Sequence, residues 1–189
     1  MASSMLSGRT VLTAPRDAPC VWMRPGATLM MLVPNWVNSS GAGINGPNND
    51  ANGLHYGYDA CRTPWRIALD FCEYGEPRAK AYLDRITAFI AAQAPIGIGT
   101  VKDGYTAAGA NPAGGLGDNP AGMAMLGPAG VASMSGGHDV FLTQVHDALA
   151  NAMTAPASMG VPGVFTYYQA SWGMLSLLTM SGNFWHMTP

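Results

Sequence analysis

Residues 58–90 read YDACRTPWRIALDFCEYGEPRAKAYLDRITAFI and contain the clearest helix signals in the chain. Thr63 followed by Pro64 is typical of a helix start, with threonine as the N-cap and proline at the first helical position. Gly75 is a candidate C-cap, and Pro77 can open a second helix. Because only two residues separate these helices, we expect an antiparallel α-hairpin.

Apolar residues recur at helical spacing in both helices and predict which faces are buried. In the first helix the expected buried face consists of Trp65, Ala68, Leu69 and Cys72. In the second helix the expected stripe consists of Ala79, Tyr82, Leu83, Ile86, Phe89 and Ile90.

Three further helices are predicted downstream, and no alternation of apolar and polar residues indicates a strand. The third helix is expected over about residues 120–134 and the fifth over residues 167–180. The fourth is expected to begin near Asp139, with an apolar face of Phe141, Val145, Leu149 and Ala152. A loop rich in Asn and Gly at residues 38–53 is expected to hold no regular element. The expected fold class is therefore all-α, built from α-hairpins, with residues 1–32 irregular.

The composition excludes some partners. The net charge is −2, and the nine Lys and Arg residues are scattered, so nucleic-acid binding is not expected. No apolar run approaches the ~20 residues of a membrane span, and no signal peptide is visible. An uncharged polysaccharide fits better, because five Trp, seven Tyr and five Phe can supply aromatic surfaces.

Asp59 is the leading candidate for a catalytic residue. It lies just before the first predicted helix and three residues from Arg62. The helix dipole and the guanidinium both stabilise an ionised carboxylate there, which suits a base better than an acid. On spacing alone, the alternative is an aspartate that helps to cap the helix and pairs with Arg62.

The stretch YDACRTPWR resembles the YDAxRTPWR signature of glycoside hydrolase family 8, which includes endoglucanases, lichenases, chitosanases and some xylanases. In a second matching stretch, Val33 to Trp36, Asn35 stands where the family usually has Asp. The other matching stretches are VPNW at 33–36, VKDGY at 101–105, LGPAG at 126–130, YY at 167–168 and LSLLTMSGNF at 175–184. The resemblance identifies residues 33–189 as the C-terminal portion of a family 8-like catalytic domain and leaves 1–32 unassigned.

This resemblance implies part of a toroid of six α-hairpins and inverting, endo-acting hydrolysis of β-1,4-glucan, which requires two carboxyl groups. It also implies an extracellular location, with no cofactor and no metal. Asp59 would be the general base, Tyr58 would orient the water or Asp59, and Arg62 would hold charge and geometry. The implied substrate-binding residues are Tyr167, Tyr168 and Trp36.

The general acid of the family is a Glu in a Glu-Gly-x-Gly-Tyr type of motif. Glu73 and Glu76 are the two glutamates of the chain, and neither lies in such a motif. Five helices are also too few to close a toroid of about twelve. We therefore expect self-association or recruitment of a complementary half through exposed flanks, formed by the stripe at 79–90 and the run at 174–180.

Two alternatives remain open at this stage. One is a non-catalytic β-glucan-binding domain that has lost the acid. The other is a calcium-stabilised structural domain without a sugar-related role. For the second, Asn48, Asp50, Asn52 and Gly53 fall at positions 1, 3, 5 and 6 of an EF-hand-like loop, with Asp59 at position 12.

Overall fold

The computed structural model describes residues 31–112, 115–154 and 167–184. The helices of this part of the chain are α1 (Thr63–Tyr74), α2 (Pro77–Ala92), α3 (Met123–Ser133), α4 (Asp139–Thr154) and α5 (Tyr167–Met180). Extended pairing within the described ranges is limited to isolated bridges, such as the one between Tyr56 and Tyr105. The predicted all-α class is confirmed. Most of the segment predicted to be irregular, residues 1–30, lies outside the described residues.

The hairpin of α1 and α2 forms as the sequence predicts. Gly75 adopts the left-handed conformation with φ 64°, which glycine adopts without steric penalty, and its N–H donates to the Phe71 carbonyl. The Glu76 side chain then accepts from the Arg78 N–H at the start of α2. The stripe of α2 is buried as predicted at Ala79, Tyr82, Leu83, Ile86 and Ile90, with Phe89 packed against the core.

The start and the buried face of α1 differ from the prediction. Thr63 is the first helical residue and not the N-cap, because a turn over residues 58–62 runs directly into the helix and the Thr63 N–H donates to the Ala60 carbonyl at 2.9 Å. Cys72 is exposed. The side of the helix towards the core consists of Pro64, Ile67, Ala68 and Phe71.

Helix α3 is the centre of the fold. Every one of its residues is buried, and it packs against each of the other four helices. It begins at Met123 and not at 120, because Ala121 is still in extended pairing, with its N–H donating to the Val101 carbonyl at 2.7 Å. The helix continues through Gly127 and Pro128, as predicted.

Helices α4 and α5 cover α3 and differ in how completely they are buried. The predicted face of α4 is confirmed at Phe141, Val145, Leu149 and Ala152. On α5 only Gly173 and Ser176 are fully buried, while Met174 is 49% exposed and Leu178 is 37% exposed.

This distribution corrects the predicted flanks. The stripe at 79–90 lies in the core of the described structure and exposes no flank, because α1 and α3 cover α2. The exposed apolar face is on α5. None of the helices in the described ranges is both long and apolar enough to cross a membrane.

The loop at residues 38–53 contains more order than its composition predicts. It holds two short 3-10 turns, Pro47–Asn49 and Ala51–Leu54. Asn48 and Asn49 take positive φ angles there, which asparagine tolerates better than most residues. The Asp50 side chain caps the second turn by accepting from the Asn52 N–H.

Candidate active site

Asp59 lies in the turn that precedes α1, and its side chain is 52% exposed. Its Oδ1 accepts from Arg62 Nη2 at 3.0 Å, and Arg62 Nε donates to the Asp59 carbonyl at 3.0 Å. No capping bond is present at the start of α1, so the ion pair belongs to the turn and not to a helix cap. A half-exposed pair of this kind contributes only about 0–1 kcal/mol to stability. Its consequence is geometric, because it orients a carboxylate that remains open to solvent.

The backbone of this turn is held from one side by Asn35. Its side-chain Oδ1 accepts from three main-chain amides: Gly57 at 3.1 Å, Asp59 at 3.1 Å and Ala60 at 2.9 Å. Its Nδ2 donates to the Asn52 carbonyl at 3.0 Å. No role for Asn35 is predicted from the sequence. The only signal was its place in the VPNW stretch.

From the other side the turn is held through the Tyr58 carbonyl. This oxygen accepts from the Tyr168 hydroxyl and from Cys61 Sγ, the latter at 3.2 Å. Burial raises the pKa of Tyr168 well above its usual range and that of Cys61 to about 11. Both groups therefore stay protonated, and able to donate, at neutral pH.

The Tyr58 hydroxyl is directed to a buried carboxylate and not to Asp59. It donates to Asp103 Oδ2 at 3.4 Å, and Asp103 also accepts from the Gly117 N–H at 2.7 Å and from Asn119 Nδ2 at 3.3 Å. Burial, and then the Asp103 charge, raises the pKa of Tyr58 to about 12. Asp103 is recognisable in the sequence only as part of the VKDGY stretch, and its contact with Tyr58 is not predicted there.

Close packing around the turn requires a glycine at position 57. A Cβ there would lie 2.8 Å from Asn35 Nδ2 and 3.0 Å from a methyl carbon of Leu116. Real Cβ contacts are rarely so short, so a larger residue would push Asn35 away from the amides that it binds.

The three residues predicted to bind substrate lie in different surroundings. Tyr168 belongs to the turn cluster, and its ring packs edge-on against Tyr58 with centroids 6.3 Å apart. Trp36 adjoins Asn35 in sequence and is partly exposed. Tyr167 is 89% exposed, and among the described contacts no hydrogen bond or ring packing joins its side chain to Asp59.

Among the side chains at the EF-hand-like positions, Asp50 has one oxygen engaged within the loop. Asp50 Oδ1 accepts from the Asn52 N–H at 3.0 Å, and Asn49 Oδ1 accepts from Asn45 Nδ2 at 2.6 Å. The described ranges contain no group of three His, Cys, Asp or Glu side chains placed to hold a metal ion. The bond from the Asn52 N–H makes Asp50 the cap of the second 3-10 turn, which is a structural role.

The two glutamates lie at the opposite end of α1 from Asp59. Glu73 is near the last turn of this 12-residue helix, and Glu76 follows it. Twelve residues of α-helix span about 18 Å. The Arg78 side chain and N–H lower the pKa of Glu76 to about 2, so this carboxyl is ionised at neutral pH.

The chain is similar in sequence and fold to known glycoside hydrolases. A β-glucanase of Niallia circulans is 33% identical over 160 residues, which cover 82% of this chain. The structure of a β-1,3-1,4-glucanase from Paenibacillus sp. X4 matches 82% of the chain with a TM-score of 0.64 and 29% identity. A GH8 xylobiose complex from Teredinibacter turnerae shares the fold, with a TM-score of 0.62 over 82% of the chain at 19% identity. The chain is related to the glycoside hydrolases of family 8.

The resemblance predicted from YDACRTPWR is thereby confirmed, and the five described helices correspond to part of the family 8 α-hairpin toroid. No protein-family model matches the chain. The chain spans 35% of the length of the Niallia circulans relative, 39% of the Paenibacillus structure and 36% of the Teredinibacter structure.

Proposed function

We propose that this chain supplies the general base of an inverting, endo-acting glycoside hydrolase that cleaves β-1,4-glucan, with Asp59 as that base. One observation carries the proposal: a solvent-open carboxylate, paired with Arg62, lies on a turn whose backbone is fixed from two sides. The β-glucanase name of the Niallia circulans relative supports the substrate class. An extracellular location is part of the proposal, because β-glucan polymers are found outside cells.

The reaction assigns one proton transfer to Asp59. In an inverting hydrolysis, water attacks the anomeric carbon while the glycosidic C–O bond breaks. The Asp59 carboxylate takes a proton from that water, and an acid gives a proton to the leaving oxygen. The ion pair with Arg62 at 3.0 Å orients the carboxylate for this step.

We assign the general acid of the reaction to a residue that is not among the 189 residues of this chain. An inverting pair of carboxyl groups is separated by about 6.5–9.5 Å, to leave room for the attacking water. Glu73 and Glu76 lie a helix length of about 18 Å from the Asp59 turn. Glu76 is also ionised at neutral pH and therefore has no proton to donate.

Tyr58 is proposed to orient the attacking water. Its hydroxyl donates to Asp103 and is also hydrogen-bonded by the Gln169 side chain, so the tyrosine ring is held in place next to Asp59. Tyr168 is proposed to contribute its ring to the cleft, because its hydroxyl is already bonded to the Tyr58 carbonyl. Trp36 and Tyr167 are proposed as stacking surfaces for sugar rings, since both are exposed.

The test is Asp59→Asn, which keeps the size of the side chain and removes its ability to accept the proton. In a chimera where residues 33–189 replace the matching region of the Niallia circulans β-glucanase, we expect this variant to lose at least a hundredfold in hydrolysis of β-glucan. Binding of cello-oligosaccharide, measured by calorimetry, should stay within about threefold.

The matched control is Asp70→Asn, the same change at an exposed position on α1. It should leave both hydrolysis and binding unchanged. Near-normal hydrolysis by Asp59→Asn would remove Asp59 from the role of base. A chimera that binds cello-oligosaccharide but hydrolyses nothing, with Asp59 intact, would favour the non-catalytic β-glucan-binding alternative.

A further inference from the structure

We propose that Asn35 is the positioning residue of the catalytic base, acting on Asp59 through the backbone of residues 57–60 and not through contact with the substrate. This inference rests on the proposed function of Asp59. The observation behind it is that one side-chain oxygen accepts hydrogen bonds from three main-chain amides of a single turn.

Most main-chain N–H and C=O groups of residues 57–60 are hydrogen-bonded. Asn35 accepts the amides of Gly57, Asp59 and Ala60, and the carbonyls of residues 57, 58, 59 and 60 all accept hydrogen bonds from other donors. Among the described contacts of residues 57–60, Asn35 Oδ1 is the acceptor that binds several amides at once. Its removal would leave these three donors without that partner, and the amides of Gly57 and Ala60 are in partly buried surroundings where an unpaired donor is costly.

The side chain of Asp59 has little else to fix it. Within the described contacts its only side-chain partner is Arg62, and that pair is itself half exposed. The position of the carboxylate therefore follows the position of the Asp59 backbone. A displacement of about 1 Å in a reacting group can lower a rate about a hundredfold.

Asparagine suits this position because it is both acceptor and donor. Its Oδ1 binds the three amides while its Nδ2 donates to the Asn52 carbonyl at 3.0 Å. The three amide donors fix which atom of the amide is oxygen. An aspartate, the residue usual at this position by the family resemblance, would retain the acceptor and lose the donor. Asn35→Asp is thus a conservative variant that should preserve the positioning of Asp59.

The first experiment measures amide hydrogen exchange in the 189-residue chain. We expect Asn35→Ala to accelerate exchange at the amides of Gly57, Asp59 and Ala60 by at least tenfold. Exchange at Arg62 Nε should also be faster, because its hydrogen bond to the Asp59 carbonyl is weakened. Asn35→Asp should restore protection at the three amides. Should the alanine variant not fold, Asn35→Ser takes its place, since its hydroxyl is too short to reach all three amides.

The control is Asn38→Ala. Asn38 Oδ1 likewise accepts main-chain amides, those of Ser40 and Ala42, but in its own surface turn. Its loss should leave exchange at residues 57–60 unchanged. Unaltered protection of those residues in Asn35→Ala would overturn the proposal, whatever its effect on overall stability.

The second experiment measures catalysis in the chimera described above. Asn35→Ala should lower kcat about tenfold to a hundredfold with KM within about twofold, because substrate contacts are unchanged. Asn35→Asp should recover most of kcat. Equal kcat for Asn35→Ala and the parent, while Asp59→Asn is inactive, would refute the positioning role alone. Full activity of Asp59→Asn would refute the proposed function, and the exchange experiment would still decide whether Asn35 holds the turn.

Discussion

The contact between Tyr58 and Asp103 makes a prediction at the scale of a single residue. The pKa of Tyr58, about 12 against an ordinary 10.0, is raised first by burial and then by the Asp103 carboxylate. Asp103→Asn removes that negative charge, so the tyrosinate becomes less costly and the pKa of Tyr58 should fall. It should remain above 10.0, because the burial is unchanged.

NMR titration of the Tyr58 ring carbons between pH 8 and 13 would measure this shift. The control is Asp118→Asn, an exposed aspartate of the same loop whose change should leave the titration of Tyr58 in place. A pKa that stays at about 12 in Asp103→Asn would show that burial alone determines it.

The sequence predicts those contacts of the site that join residues close together in the chain. Asp59 and Arg62 are three residues apart, and their ion pair follows from that spacing. Asn35 lies 24 residues from Asp59, and Asp103 lies 45 residues from Tyr58. No periodicity or spacing rule connects residues so far apart, so neither contact could be predicted before the chain was folded.

At the scale of helices, the contact between α3 and α5 depends on glycine. A Cβ at Gly127 would lie 2.8 Å from Ser176 Cβ and 2.5 Å from Ser176 Oγ. Gly127→Ala should therefore destabilise the fold by about 1–3 kcal/mol, although alanine normally favours a helix. Urea unfolding would measure the change, and a second change, Ser176→Gly, should recover part of it by removing the atoms that clash.

Gly99→Ala is the matched control for this prediction, because a Cβ there meets no atom within 4 Å. Its effect on the free energy of unfolding should be close to zero. A Gly127→Ala variant as stable as the parent would show that α3 and α5 can separate without loss.

The buried face of a helix could be predicted from sequence where only one face is buried. It could not be predicted for a helix that is buried on all sides. The stripes of α2 and α4 agree with the structure because each helix buries one face. Every residue of α3 is buried, so its sequence lacks the periodicity that defines a boundary, and its start was placed three residues too early. In α1 the turn at 58–62 leads into the helix, which moved Thr63 from the N-cap to the first helical residue.

At the scale of the whole molecule, the spacing of apolar residues predicts α-hairpins but does not predict how they are arranged. The toroid came from the resemblance carried by YDACRTPWR, and the structural match to the Paenibacillus glucanase supports it. Which helix flank is exposed depends on the tertiary arrangement. The stripe at 79–90 is as apolar as the run at 174–180, yet the stripe is buried whereas Met174 and Leu178 stay exposed although α5 packs against α3.

The exposed face of α5 gives the last prediction. Met174 and Leu178 are four residues apart, so they lie side by side on one face of the helix, and both are more than a third exposed. Exposed apolar patches of this kind favour association. We expect the purified chain to self-associate as its concentration rises, and the double change Met174→Gln and Leu178→Gln to weaken that association at least tenfold.

Light scattering over a range of concentrations would measure the association, with near-ultraviolet circular dichroism to show that packing is retained. Val140→Gln on α4 is the control, because Val140 is equally apolar, 75% exposed, and on a different helix. It should not change the association. A parent chain that stays monodisperse and melts cooperatively as a monomer would contradict the prediction. In that case the α5 face would be tolerated in water, and the position of Asp59 in its turn would be unaffected, because its contacts with Asn35 and Arg62 do not involve Met174 or Leu178.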